Sequence, residues 1–236
     1  MNKNKIIANS IWISDTHLGS GGSQTHKLEI FLQSISCNNL FLNGDIIDKY
    51  LIKNITEIKI KYKNIINLIK NLQENGTKIY FLQGNHDKED DVKKIFPDII
   101  FKKQLKYQTK TNKTYLIFHG DQCDKSVALK SKSVAKLGTK TYEFCLSFKK
   151  KSSKKHFSQF IKIWSKKTLS LIFKYEKTLL KYLNKEKVDG VICGHSHQPI
   201  IKKINNKDYL NTGDWIDNCS YILETDDGEF KLHKWQ

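Results

Sequence analysis

Residues 12–20 read W-I-S-D-T-H-L-G-S: an apolar run, then Ser14, Asp15, Thr16 and His17, then Leu18 and Gly19. A short apolar run that stops at a polar turn is the pattern of a buried strand. In extended chain, residues two apart leave on the same side, so Asp15 and His17 present a carboxylate and an imidazole together. The layout recurs downstream. The run at 40–42 precedes Asn43-Gly44-Asp45, and that at 79–82 precedes Gln83-Gly84-Asn85-His86. Residues 115–118 precede His119-Gly120-Asp121, and residues 188–193 precede Gly194-His195-Ser196-His197.

Between the early runs lie residues 24–35 and 55–72, where apolar side chains recur at three- and four-residue spacing, as in Ile58, Tyr62, Ile65, Ile66 and Ile69. That spacing predicts helices. Strands alternating with helices predict an α/β fold, with ligand-binding residues gathered in the loops beyond the strands' carboxyl ends. A hairpin is expected over residues 104–118, turning at 109–113. The last 40 residues read as short strands, with turns at Asn205-Asn206 and Asp226-Asp227-Gly228. No repeat or linker divides the chain, so one domain over residues 1–236 is expected, interrupted by an insertion at about 125–187.

The composition fits a globular protein: 236 residues, 39% apolar, with only two prolines. The five cysteines (37, 123, 145, 193 and 219) form no C-x-x-C pair, which fits free thiols in a reducing compartment. The stretch from 6 to 13 is broken by Asn9 and Ser10 and does not read as a signal peptide. No window offers the run of ~18 apolar residues that a membrane-spanning helix needs. A cytoplasmic location follows, with any membrane contact peripheral.

The net charge of +17 comes entirely from lysine, since the chain has no arginine. It is not spread evenly. Residues 125–187 hold 18 lysines against three acidic residues, whereas the remainder holds 23 against 21. Within that segment, Phe157, Phe160, Ile161, Trp164, Leu171, Ile172, Tyr175, Leu179 and Tyr182 share one side of a helical wheel, opposite Lys162, Lys166, Lys167, Lys174, Lys177 and Lys181. This is a basic amphipathic helix, or two. The bland reading is a helix packed on the core with a solvated lysine face. The functional one is a cap that meets an anionic amphiphile or an anionic membrane surface.

Five of the eight histidines (17, 86, 119, 195 and 197) directly follow the apolar strands, beside Asp, Asn or Gly. One such motif is weak evidence, because an isolated Asp-x-His is more often an ordinary turn. Five of them in one chain point to a metal centre. Asp15, His17, Asp45, Asn85, His119, His195 and His197 supply mixed nitrogen and oxygen donors for two cations, with the Asp45 carboxylate able to bridge. Two divalent ions about 3.5–4 Å apart can bind the oxygens of an anionic substrate and lower the pKa of a water. His86, spare in the ligand count, is then expected near the leaving oxygen as a general acid, oriented by Asp48. Asp87 and Asp121 read as supports for turns or ligands. Asp214 and Trp215 read as turn and core. His26, His156 and His233 lack such neighbours and read as surface or helix residues.

The set D-x-H (15–17), G-D (44–45), G-N-H-D (84–87), H-G-D (119–121) and G-H-S-H (194–197) resembles, in order and spacing, the calcineurin-like metallophosphoesterases. The resemblance covers nearly the whole chain. It implies an α/β sandwich of two mixed β-sheets flanked by helices, here with a helical Lys-rich cap. It also implies one metal on Asp15, His17, Asp45 and His197, and the other on Asp45, Asn85, His119 and His195. Within that family the chain looks like the bacterial UDP-2,3-diacylglucosamine pyrophosphatases, through N-G-D-I-I-D (43–48), Q-G-N-H-D (83–87), H-G-D-Q-C-D (119–124), V-D-G-V-I-C-G-H-S-H-Q-P (188–199) and N-T-G-D-W (211–215). This likeness implies a nucleotide-linked glycolipid substrate, Mn²⁺ as the usual metal, action at the inner face of the cytoplasmic membrane, and substrate contacts from Asn85, His86, Asp124 and His195. His86 stands where some members carry Arg. The alternative is a metal-dependent phosphodiesterase or nuclease using the lysines against a nucleic-acid backbone. The apolar half of the amphipathic segment argues against it, and nothing in the sequence calls for an obligate protein partner.

Overall fold

The computed structural model describes residues 5–51, 54–123 and 175–236. The chain divides into two compact units, one of residues 1–121 with 183–236 and one of residues 122–182. The second overlaps the Lys-rich insertion. Most of that insertion, with Asp124, His156 and the lysines from 125 to 174, lies outside the described residues; residues 175–186 form a helix.

Among the described residues of the first unit, eleven strands form two sheets. The first is built by β1 (Ile6–Ile13), β2 (Ile35–Asn43), β3 (Lys78–Leu82) and β4 (Ile100–Lys102), all parallel, with β10 (Ser220–Glu224) and β11 (Phe230–Lys234) added antiparallel beyond β1. The second runs in the order β5 (Gln104–Gln108), β6 (Thr114–Phe118), β7 (Gly190–Cys193), β9 (Lys207–Asn211) and β8 (Ile200–Ile204). Its centre, β6-β7-β9, is parallel, and β5 and β8 pair antiparallel at its edges. Both sheets are therefore mixed, as expected.

Strand alternation divides the core. Trp12, Phe41, Leu82 and Ile222 point from the first sheet into the space shared with Tyr115, Ile117, Ile192 and Leu210 of the second. Their neighbours Ile11, Ile13, Leu40, Leu42, Ile79 and Phe81 point the other way, against α1 (Thr25–Ser34), α2 (Ile55–Lys61), α3 (Lys63–Glu74) and α4 (Glu89–Ile95). A period of two explains both faces of a sheet buried on each side. The periodic stretch from 55 to 72 is two helices, because the backbone bends at buried Tyr62, whose φ is −111°.

β1 also starts earlier than its apolar run suggests. Asn9 and Ser10 face inward, where Asn9 donates to Glu224 Oε2 at 2.7 Å and Ser10 pairs with the Tyr107 hydroxyl at 2.8 Å. The fully buried Glu224 also accepts from Tyr107 and from the Lys110 backbone N–H. This polar clasp joins the two sheets, and each member has partners.

Candidate metal centre

Parallel pairing within each sheet places the loops after β1, β2 and β3, and those after β6, β7 and β9, at the strands' carboxyl ends. These loops are laced together by backbone. Asp15 and His17 donate to the carbonyls of Gly44 and Asp45 at 3.0 Å each, Gly194 donates to His119 at 2.9 Å, and Trp215 donates to Asp15 at 3.1 Å. Glycine is required where these loops touch. A Cβ on Gly194 would collide with the side chains of Ser14 and Asp15, and one on Gly44, at φ +88°, would strike the His119 ring.

The turns are sharp enough to force unusual backbone on the candidate ligands themselves. Asp15, His17, Asp45, His195 and His197 all have positive φ, between 43° and 63°. A non-glycine residue there is strained, and five such residues in one cluster mark a constrained functional site.

The side chains converge. Donor atoms of Asp15, His17 and His197 lie within 4.8 Å of one another, as do those of Asp45, His119 and His195, and those of His17, Asp45 and His86. Asp15 Oδ1 lies 3.1 Å from His197 Nε2, 3.9 Å from His17 Nε2 and 4.0 Å from His119 Nε2, and Asp45 Oδ2 lies 3.2 Å from His119 Nε2. Among the buried side-chain atoms without a hydrogen-bond partner, three belong to candidate ligands: Asp15 Oδ1, Asn85 Oδ1 and His119 Nε2. Buried polar atoms are normally paired. Asp15 Oδ1 and His119 Nε2, 4.0 Å apart and unpaired, are placed as donors around a cation.

The histidines are turned to suit. His119 Nδ1 donates to the Asn43 carbonyl at 3.1 Å, which leaves Nε2 as its lone-pair atom toward the centre. His17 Nδ1 faces Asp48 Oδ2 at 3.4 Å, and His197 Nδ1 faces Asp214 Oδ2 at 4.0 Å. A ring nitrogen held by a carboxylate or carbonyl fixes the tautomer that can bind metal through the other. The charge balance agrees. Burial pushes the Asp15 carboxyl up, but the neighbouring His119 and His197 imidazoles hold it below the ordinary carboxylate range. For His119, burial works downward and the Asp45 and Asp15 carboxylates override it, raising the ring to about 10. Such a concentration of negative charge is a seat for divalent cations.

Two supports were only partly legible in the sequence. Asp87 is buried and accepts backbone N–H groups from Asp45 at 2.6 Å, Ile47 at 3.0 Å and Gly84 at 3.2 Å, so it clamps the Asp45 loop to the Asn85 loop. Asp214 accepts from Ile216, Asp217 and Asn218 at 2.8, 2.7 and 3.2 Å, shaping a turn while also facing His197. Trp215 is core, packed 4.9 Å from Phe31. His86 Nδ1 lies 3.1 Å from Asp48 Oδ1, and its backbone N–H donates to Asp45 Oδ1 at 2.7 Å. His26 and His233 lie on the surface, away from the cluster.

The sequence model for calcineurin-like phosphoesterase matches residues 10–199, the span that holds every residue of the cluster. The chain belongs to the calcineurin-like phosphoesterases. As a member of that family with this cluster, it is a metal-dependent phosphoester hydrolase. Solved structures with a similar course include an archaeal phosphodiesterase, 15% identical over 95% of this chain and 98% of that one, with a TM-score of 0.44. Vacuolar protein sorting 29 of Cryptosporidium parvum is 13% identical over 96% of both chains, with a TM-score of 0.47. A predicted phosphoesterase of Streptococcus pneumoniae is 14% identical over 96% of this chain and 97% of that one, with a TM-score of 0.40. Comparison with curated proteins gives no match. Among the described residues, no helix of this calcineurin-like phosphoesterase is long and apolar enough to cross a membrane, and Cys37, Cys123, Cys193 and Cys219 are not in disulfides.

Proposed function

We propose that Asp15, His17, Asp45 and His197 hold one divalent cation and Asp45, Asn85, His119 and His195 a second, with Mn²⁺ as the metal. The observation that carries this assignment is the convergence of the Asp15, His17 and His197 donor atoms, and of the Asp45, His119 and His195 donor atoms, within 4.8 Å, with Asp15 Oδ1, His119 Nε2 and Asn85 Oδ1 buried and unpartnered. A mixed nitrogen and oxygen donor set suits Mn²⁺. When bound, the cations neutralise phosphoryl charge and make a water nucleophilic near neutral pH.

The protein's own groups do the rest. His86 carries the proton for the leaving oxygen. Burial works against its charge, but Asp48, Asp45 and Asp87 raise it above the ordinary histidine range. Asp48 reaches His86 with one carboxylate oxygen and His17 with the other, at 3.1 and 3.4 Å, so it aligns the acid and a ligand together. Burial pushes the Asp48 carboxyl up, and hydrogen bonds from His17 and His86 more than reverse this, keeping it ionised. Asp87 holds the loops in register.

The substrate assigned is UDP-2,3-diacylglucosamine, hydrolysed at its pyrophosphate to UMP and 2,3-diacylglucosamine 1-phosphate, with Asn85, His86, Asp124 and His195 touching it. Support comes from the sequence stretches around the centre and from the Lys-rich amphipathic segment, which suits a protein working peripherally on the anionic cytoplasmic face of a membrane. The direct test is to incubate the purified, Mn²⁺-loaded protein with UDP-2,3-diacylglucosamine and measure UMP. Release of UMP that disappears with EDTA is expected. Cleavage of DNA, RNA or a phosphoprotein, with this lipid untouched, would overturn the substrate and favour the phosphodiesterase alternative.

A further inference from the structure

The segment after Asp48 carries features that a bare phosphoester hydrolase does not need. Tyr50 and Leu51 are large and open, 60% and 56% exposed. Tyr50 is nonetheless tied to the centre. Its N–H donates to Asp48 Oδ1 at 3.1 Å, its hydroxyl reaches the Asn85 carbonyl at 3.5 Å, and its ring meets the His86 ring edge-on, with centroids 4.9 Å apart and planes at 85°. An exposed ring held at three points is preorganised for a ligand, because little mobility is lost on contact.

Lys49 adds charge to that wall. Its ammonium lies 5.0 Å from the centre of the Tyr50 ring, a cation–π distance. The charged groups around it are Lys88, Asp87, Asp45 and Asp91, and it forms no ion pair among the described residues. A partly buried ammonium that is neither ion-paired nor fully solvated is free to take an incoming anion. Because His86 serves the leaving oxygen in the reading above, on which this inference rests, the group departing from His86 has next to it the Tyr50 ring that packs on His86, and Lys49 beside that ring.

We propose that Lys49 and Tyr50 form the leaving-group subsite and select a leaving group that is itself a phosphate, so that pyrophosphate diesters are preferred to diesters with an uncharged leaving group. In that reaction the water oxygen bonds to one phosphorus and the bridging P–O bond breaks. The electron pair stays on the second phosphate, whose oxygen takes the proton of His86. Lys49 offsets the charge that remains on the departing phosphate. Tyr50 seats the ammonium and offers its open face to the group attached beyond.

The test compares the Mn²⁺-loaded full chain and its Lys49→Met, Lys49→Arg and Tyr50→Leu variants on two soluble probes, P1,P2-diuridine 5′-diphosphate and bis(4-nitrophenyl) phosphate. The readout is the ratio of kcat/KM between them, which a general folding defect does not move. The wild type should favour the pyrophosphate. Lys49→Met should lower the ratio about tenfold, the loss expected for one partly screened charged contact. Lys49→Arg should retain most of the ratio, and Tyr50→Leu should lower it by a smaller factor. If the wild type cleaves the pyrophosphate and Lys49→Met keeps the ratio within about twofold, the subsite is wrong and the substrate reading stands. A wild type that spares the pyrophosphate overturns both.

Discussion

Replacing Asp87 with alanine tests how the centre is held. The Asp87 carboxylate accepts three backbone N–H groups, from Asp45 and Gly84 on one oxygen and from Ile47 on the other. The site is closed to solvent, since Asp87 is 2% exposed. Truncation orphans all three donors, and each buried donor left unsatisfied costs about 1–3 kcal/mol. Part of this is recovered, because the carboxylate's own burial cost disappears: burial and the nearby Asp45 charge push its carboxyl up to about 7. A net loss of roughly 3 kcal/mol remains, a large share of the ~5–15 kcal/mol that holds a domain together. Urea unfolding with and without Mn²⁺ should show that loss, and metal affinity should fall about 10–100-fold as Asp45 and Asn85 drift apart. Asp87→Asn keeps one accepting oxygen and should lose about half as much stability. Asp87→Ala within about 1 kcal/mol of wild type and still carrying its full metal content would refute the clamp.

Three further outcomes follow from the same geometry. His86→Ala should lower kcat by about 10²–10⁴-fold with metal content near normal by elemental analysis; loss of metal instead would make His86 a ligand. In the metal-free protein, Asp87 and His119 bind protons more tightly folded than unfolded. Their ordinary values are 3.8 and 6.5, so the stability they lend is complete below those values and is lost as pH rises through about 7 and about 10. The cation competes with those protons, so the gain in Tm on adding Mn²⁺ should be larger near pH 8 than near pH 6; a gain that shrinks with pH would contradict this. Gly194→Ala places a methyl 2.7 Å from Ser14 Cβ and against the Asp15 carboxylate. It should cost about 1–3 kcal/mol in chemical denaturation and weaken metal binding, and a variant with unaltered binding would show that the loop can yield.

The sequence disclosed the elements that have a period and the residues whose chemistry is rare. Apolar runs that end in Asp, Asn or His are visible by eye, and the structure brings all seven candidate ligands, with His86 and Asp48, to one end of the two sheets. What stayed hidden lacks local pattern. Asn9 and Ser10 look like breaks in a strand until Glu224 and Tyr107, over 90 residues away, are seen to receive them. The three residues of β4 and the seven of α4 are too short to show periodicity. The tie from His119 to the Asn43 carbonyl is invisible because it uses backbone, and that from His197 to Asp214 is invisible because the turn-forming role of Asp214 is the one its neighbours advertise. Tyr50 gave no signal, since an exposed tyrosine in a loop is ordinary until its ring is found against His86.

The left-handed backbone at Asp15, His17, Asp45, His195 and His197 reaches beyond catalysis. Each such residue opposes folding by about 1–2 kcal/mol, and the sheet framework and the interloop hydrogen bonds work against that strain. Those bonds use backbone atoms, so replacing one imidazole removes none of them. Architecture and reactivity in such a chain can therefore evolve apart.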